Sequence, residues 1–442
     1  MIANLEWWMV LLILIGFLIL VMFTGMPIAF SFIAVSGIFI FAMMGVGGLK
    51  QLVLGMRSQL CNFNFTPIPF FVIMGEVFFQ SGIITRTMDA LSKLVRKVPG
   101  RLSVVTLLGG GIFAALSGSS LGNTAMFGSL MAPEMIRRGY SKSLTTGSII
   151  ASGALAMIIP PSNQAVMMGG IASISVNKIL LGAVGPGILL VVLYIAYVII
   201  SCVRKPSLAP VEQDEVEDIT WKEKVISILT NIVPLVFIFA VVIGIIFTGI
   251  GTATEAAALG ALASYILAMF YRKFNLKLLI NTLIGSLKTS TMLMLIIAGS
   301  AGFSQVLSLT GASRQAVIVI TEAISSPALI LFAMLAIAFI MGLFIEQSAI
   351  MMICLPLFMP LVSAYGINEI WFAVLFLILL QIGQFTPPVG LSLFVMKGVS
   401  PPEVTMNDII KGAIPFLLID ILAVLIIIAF PAIATTIPGL ST

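Results

Sequence analysis

Long uncharged, apolar stretches alternate with short charged intervals along the chain. No Asp, Glu, Lys or Arg occurs in 7–49, 102–133, 143–177, 179–203, 225–254, 289–313, 323–345, 347–368 or 370–396. The final run, 413–434, is interrupted only by Asp420. About 20 apolar residues is the length a helix needs to cross a bilayer. Gly25, Pro27 and Gly37 divide the first run, which predicts two spans there of about 17 to 20 residues. Trp7 and Trp8, at its start, suit an interfacial aromatic belt. The pattern predicts an all-α polytopic membrane protein with room for about a dozen crossings or half-crossings.

Composition narrows the function classes. The 442 residues are 60% hydrophobic and 9% charged, whereas soluble domains are about 25% charged, so a water-soluble enzyme is excluded. Histidine is absent, which removes imidazole as metal ligand, general base or pH switch. Cys61, Cys202 and Cys354 lie far apart in apolar settings and read as buried structural cysteines, not as a metal site or disulfide framework. Gly109-Gly110-Gly111 lacks the Gly-Lys-Ser/Thr ending of a nucleotide loop and reads as a place of close helix approach. Met1–Glu6 carries no basic region ahead of the first apolar run, so that run is expected to be a retained span. The net charge of +5 matters here mainly through which loops carry it.

The longest solvated interval, 204–224, holds ten of the 39 formal charges and falls near mid-chain. Landmarks recur on either side of it. Phe23-Thr24-Gly25 returns as Phe247-Thr248-Gly249, a shift of 224. Pro133 and Gly139 return as Pro360 and Gly366, and Pro160-Pro161 as Pro387-Pro388, all shifted by 227. The chain reads as a tandem repeat, roughly 1–203 and 225–442. Basic residues then set the sense of the copies. Residues 86–101 carry five and 137–142 three, whereas 310–326 carries one and 364–369 none. Under the positive-inside rule, corresponding loops face opposite sides, so the repeats are expected to be inverted, with both termini periplasmic.

Two re-entrant hairpins follow. The basic clusters 86–101 and 137–142 share a side, so the apolar 102–133 between them must enter the bilayer and return, with its tip near Ser117–Thr124. By the repeat, 327–363 enters from the other side, with its tip near 344–349. Two short ordinary spans are the rival arrangement.

The proline pairs sit inside spans, in Ile-Ile-Pro-Pro-Ser-Asn (158–163) and Gln-Phe-Thr-Pro-Pro-Val-Gly (384–390). Proline removes a backbone donor and clashes with the preceding turn, so each span should unwind there. Freed carbonyls and helix C-termini suit a sodium ion, and helix N-termini suit an anionic substrate. Ser117, Ser119, Ser120, Asn123 and Thr124 are expected to complete one site, and Gln347, Ser348 and Thr386 the other. A mere kink with small polar packing residues is the plainer alternative. Among intramembrane acids, Glu346 is the candidate for a direct role. Glu76, Glu255 and Asp420 read as partners in interhelical hydrogen bonds or subunit contacts.

The runs GMPIAFSF (25–32), SGSSLGNTA (117–125), MIIPPSN (157–163), GTATEAAALGAL (251–262) and GQFTPPVGLSLFV (383–395) closely resemble the large membrane subunit of TRAP transporters, the DctM-like family. The resemblance covers essentially the whole chain. It implies a bacterial inner-membrane, sodium-coupled importer of organic anions such as sialic acids, C4-dicarboxylates or 2-keto acids. It further implies an elevator of the ion transporter superfamily, working with a small four-helix membrane subunit and a periplasmic substrate-binding protein. Sodium ions are the coupling ions; no other cofactor and no nucleic acid is implied.

Carried onto this chain, the resemblance puts sodium at Ser117, Ser119, Ser120, Asn123 and Thr124 with Pro160, Ser162 and Asn163. A second sodium set is Glu346, Gln347 and Ser348 with Thr386, Pro387 and Gly390. Asn123, Asn163, Gln347, Thr386 and Pro388 are the implied substrate contacts. The implied transport domain is 102–185 plus 327–411. The scaffold is 1–101, 186–326 with its cytoplasmic linker 204–224, and 412–442. No arginine lies in either tip or break, so the carboxylate contact is not evident. A stand-alone carrier of the same superfamily and a passive anion channel are the alternative functions. An intramembrane enzyme lacks obvious acid-base groups.

Overall fold

The computed structural model describes residues 6–95, 98–210, 221–343, 345–387 and 390–440, which are helical with short turns and carry no strand. The first copy contains α1 (Trp7–Phe23), α2 (Ile28–Leu60), α3 (Pro67–Ser81), α4 (Ile83–Leu94), α5 (Arg101–Ser117), α6 (Ser120–Arg137), α7 (Lys142–Ala154), α8 (Asn163–Ala172) and α9 (Val176–Arg204). After α10 (Trp221–Asn231) come α11 (Val233–Phe247), α12 (Ala253–Phe270), α13 (Leu276–Leu309), α14 (Ala312–Ala323), α15 (Pro327–Gly342), α16 (Gln347–Ala364), α17 (Glu369–Gln384), α18 (Leu391–Val399) and α19 (Met406–Ala429). The short α20 (Ala432–Leu440) ends the described chain. Six of these helices are long and apolar enough to cross a membrane, or up to eight if each of two bent pairs counts as one span.

The order α1 to α9 recurs as α11 to α19, and left-handed glycines recur with it: Gly25 and Gly249, Gly82 and Gly311, Gly139 and Gly366. The copies break in different places: α2 is continuous where the second copy is divided between α12 and α13. Adding 227 to 49–81 gives 276–308, which lies within the single helix α13. In the first copy this stretch is broken at 61–66, where Asn62 caps a 3-10 turn and Pro67 starts α3.

Some boundaries depart from the apolar pattern. α2 does not stop near 49 but continues to Leu60, bending at Gly45, whose φ of 62° a side chain would strain. This extension carries Cys61 to an exposed position, so Cys61 is not a buried structural cysteine; Cys202 and Cys354 are buried. The final run is divided, because Pro431 supplies no N–H to continue α19 and begins a new turn.

The densest packing falls within two groups of helices, which also touch through α3 on α5 and α13 on α16. α13 lies along α2 and α3, and α12 lies between α3 and α11. In the other group α7 packs on α5, α6 and α19, while α17 packs on α15, α16, α9 and α19. Small residues permit the closest approaches, as expected where apolar helices gain little by leaving lipid. A Cβ on Gly147 of α7 would lie 2.2 Å from the Gly412 carbonyl of α19, and one on Gly185 of α9 would lie 2.3 Å from the Ile433 carbonyl of α20.

Candidate functional site

Each helical pair α5–α6 and α15–α16 is a hairpin closed by a capped turn. α5 ends at Ser117, and Gly118 turns the chain in the left-handed region, its N–H reaching the Ala114 carbonyl at 3.0 Å. Ser119 then caps α6 by accepting from the Gly122 N–H at 3.2 Å. In the second hairpin Glu346 stands at the same repeat position, 227 residues on, and plays the same part. Its carboxylate accepts from the Ser348 N–H at 2.9 Å and the Ser348 hydroxyl at 3.1 Å. These caps satisfy helix-terminal N–H groups that lipid cannot.

The proline pairs interrupt their helices as the donor-loss argument requires. α7 ends at Ala154, a 3-10 turn covers Leu155–Met157, and the cis Pro160-Pro161 unit precedes α8. Ser162 spans the gap: its hydroxyl donates to the Met157 carbonyl at 2.8 Å and accepts from the Ala165 N–H at 3.3 Å. In the other copy α17 stops at Gln384 and α18 starts at Leu391. There the Thr386 hydroxyl donates to the Ile382 carbonyl at 2.6 Å, and the Gly390 N–H reaches the Thr386 carbonyl at 3.1 Å. Pro387 closes the described part of this break; Pro388 lies outside the described residues, as does the side chain of Ser117.

The two turns and two breaks come together. Gly118 abuts Asn163, where a Cβ would lie 2.7 Å from Asn163 Nδ2, and Gly342 abuts Gly383 at 3.1 Å. Each tip therefore meets the break of its own copy. Each also meets the other copy's break, through residues the sequence reading missed. Ser120 Oγ donates to Gln384 Oε1 at 2.5 Å, and Gln164 Nε2 donates to Gln347 Oε1 at 3.4 Å. A signal for both glutamines was present: Gln164 follows Pro161 by three residues, and Gln384 precedes Pro387 by three, each inside an apolar run.

Asn123 is anchored, its amide donating to the Gly110 carbonyl at 3.0 Å and the Ser152 carbonyl at 3.4 Å, which ties α6 to α5 and α7. By contrast Thr124 Oγ1, Asn163 Oδ1, Gln164 Oε1 and Gln347 Nε2 are buried without a protein partner. Buried polar atoms are nearly always satisfied, so a cluster of orphans here calls for an explanation. Thr124 Oγ1 and Asn163 Oδ1 are oxygens, the ligand type a hard cation takes, while Gln164 and Gln347 are bonded to each other.

Two cavities adjoin the cluster. One of about 210 Å³ is lined by Glu346, Gln347, Gln384 and Gly390 with apolar neighbours. The other, about 480 Å³, lies between the first tip, at Ser119, Gly122 and Asn123, and the facing Glu76 of α3 and Thr289 of α13. Glu76 accepts from Gln80 on its own helix at 2.7 Å. Glu255 is an exposed cap of α12, paired with Thr252, so among the described residues neither glutamate makes an interhelical hydrogen bond, which leaves subunit contact as the other expected role. Asp420 does. Buried on α19, it accepts from the Tyr194 hydroxyl of α9 and from Gln381 Nε2 of α17 at 3.1 Å. Gln381 also donates to the Tyr194 oxygen at 3.0 Å.

Known proteins are similar to this chain in architecture and in sequence. A solved structure of the YdaH transporter of Alcanivorax borkumensis superposes with a TM-score of 0.64 at 14% identity, covering 89% of this chain and 91% of that one, which establishes a shared fold. The C4-dicarboxylate TRAP transporter large permease protein DctM of Pseudomonas aeruginosa is 31% identical over 410 residues, 92% of this chain and 93% of its own length. The 2,3-diketo-L-gulonate large permease protein of Escherichia coli is 29% identical, with 93% and 95% covered. The sialic acid large permease protein of Vibrio cholerae is 26% identical, with 95% and 96% covered. These relatives are named as permeases and not as enzymes. The model of the DctM component of tripartite ATP-independent periplasmic transporters matches residues 15–433. The chain is thus a multi-span membrane protein that belongs to the DctM family, the large permease component of TRAP transporters.

Proposed function

We propose that this permease imports an organic anion by sodium symport, with two ion sites where the hairpin tips meet the broken helices. The observation that carries the reading is the convergence of both tips and both breaks around buried oxygens that no protein group satisfies. One site combines Ser119, Ser120 and Thr124 with Ser162, Asn163 and the carbonyls freed at Pro160. The other combines Glu346, Gln347 and Ser348 with Thr386 and the backbone near Pro387 and Gly390. The N-termini of α6, α8, α16 and α18 begin at these turns and breaks, so their partial positive charge favours an anion nearby. The relatives named for C4-dicarboxylate, 2,3-diketo-L-gulonate and sialic acid support a carboxylate substrate.

The two packing groups suit an elevator, in which the hairpins and broken helices move against α1 to α3 and α11 to α13. Contacts favour carrying α9, α19 and α20 with the moving group, since α19 packs on α7, α17 and α18 and α20 packs on α9. That enlarges the mobile unit beyond 102–185 plus 327–411. The tripartite family implies a small four-helix membrane subunit and a periplasmic binding protein as partners, in the bacterial inner membrane with both termini periplasmic.

Uptake into vesicles containing the complete transporter tests the reading. Wild-type uptake should require an inward sodium gradient. Asn163→Ala, which removes an unpartnered oxygen, should raise the sodium concentration for half-maximal uptake about tenfold, equivalent to about 1.4 kcal/mol. Wild-type uptake indifferent to sodium overturns the proposal.

A further inference from the structure

Ser120 and Gln347 occupy the same place in the two copies, 227 positions apart, as the first residue of the second hairpin limb. Both are buried, and both reach out of their own copy. Ser120 donates to Gln384, the last residue of α17, and Gln347 accepts from Gln164, the second residue of α8. Each bond therefore ends on the helical turn beside the other copy's proline break. Within a copy, Gly118 and Gly342 pack closely on Asn163 and Gly383, and Asn123 donates to the Ser152 carbonyl of α7.

We propose that these crossed hydrogen bonds couple the two ion sites, with Gln384 and Gln164 acting as positioning residues; the inference rests on the sodium reading above. An ion at the first site orders the 117–124 tip, and Ser120 then holds Gln384 and the end of α17, the approach to the second break. An ion at the second site orders 346–348, and Gln347 then holds Gln164 beside Asn163. Occupancy of either site removes ordering entropy that filling the other would otherwise require, which produces positive cooperativity. Linkage makes the effect reciprocal. Two nearby cations repel, so unlinked sites would fill independently or anti-cooperatively. Gln164 Oε1 and Gln347 Nε2 lack protein partners, so this pair is held by one bond and is free to re-aim when an ion arrives.

The test is equilibrium binding of radiolabelled sodium to the purified full chain and to Gln384→Met, Gln164→Met and the double variant. Methionine keeps side-chain length but removes the hydrogen bond. The parent should bind sodium with a Hill coefficient above 1. Each single variant should fall toward 1 while binding as many ions at saturation, and the double variant should fall at least as far as either single. Should Gln384→Met fail to fold, Gln164→Met decides alone, because its half-buried side chain breaks the linkage from the other side. A parent without cooperativity, or variants that keep its full Hill coefficient, overturns the coupling. A parent that binds no sodium overturns the function reading itself, and the coupling with it.

Discussion

Gly153 of α7 faces Thr124 of α6 so closely that a Cβ would lie 2.0 Å from Thr124 Oγ1 and 3.0 Å from the Ser120 carbonyl. α6 has no room to retreat, because Asn123 ties it to Gly110 and Ser152. Gly153→Ala is therefore expected to lower stability by about 1–3 kcal/mol through overpacking, read as a fall in the thermal midpoint of the purified protein. Thr124→Ala in the same chain should restore part of it, since the two changes share one contact. Unchanged thermal midpoints in the single variant would show that α6 and α7 can separate, against the close contact of Gly153 with Thr124. Thr124 was legible in the sequence because a polar run inside an uncharged stretch demands a reason. Gly153 was not, since one glycine in an apolar segment looks like any other until the neighbouring helix is in place.

α17 shows what a whole element adds. Its C-terminal turns present Gln381 to Asp420 and Tyr194 and, about one turn on, Gln384 to Ser120. The buried Asp420 carboxylate has the Tyr194 hydroxyl and the Gln381 amide as donors. Tyr194→Phe removes one donor and leaves a buried acceptor short, which should cost about 1–3 kcal/mol in thermal unfolding. Asp420→Asn keeps a carbonyl for Tyr194 but sets an NH2 group against the Gln381 amide donor, so it is expected to lose stability too; an unchanged midpoint in Tyr194→Phe would mean that the bond contributes little. The ends of α7 and α17 could be foreseen, because proline pairs act locally on the backbone. The partners of Gln384 and Asp420 could not. Ser120 and Gln384 are 264 residues apart, and no local periodicity encodes a contact of that range. The capping function of Glu346 was equally hidden, because its sequence neighbourhood shows a costly intramembrane acid but not the Ser348 N–H it accepts from.

At the scale of the molecule, the expected inversion rests on charge asymmetry, and the recurring order of helices supplies equivalent positions at which to test it. Ser175 follows α8 and Glu403 follows α18, 228 residues later, and both are exposed. If the copies are inverted, these positions face opposite compartments. The background must be Cys61→Ser, since Cys61 is exposed whereas Cys202 and Cys354 are buried. In intact cells a membrane-impermeant maleimide should label Ser175→Cys from outside, and should label Glu403→Cys only after permeabilisation. The assignment follows from the basic residues. Arg137, Arg138 and Lys142 hold the start of α7 inside, so the chain leaving α8 emerges outside. The equivalent loop before α17 lacks basic residues and lies outside, so the chain leaving α18 emerges inside. Labelling of both cysteines from one side would make the copies parallel. Both hairpins would then enter from the same face, and the two faces of the membrane would no longer be served by equivalent elements. The crossed pairs Ser120–Gln384 and Gln164–Gln347 join a tip of one copy to a break of the other, so the sidedness of two loops decides whether those bonds link hairpins that enter from opposite faces.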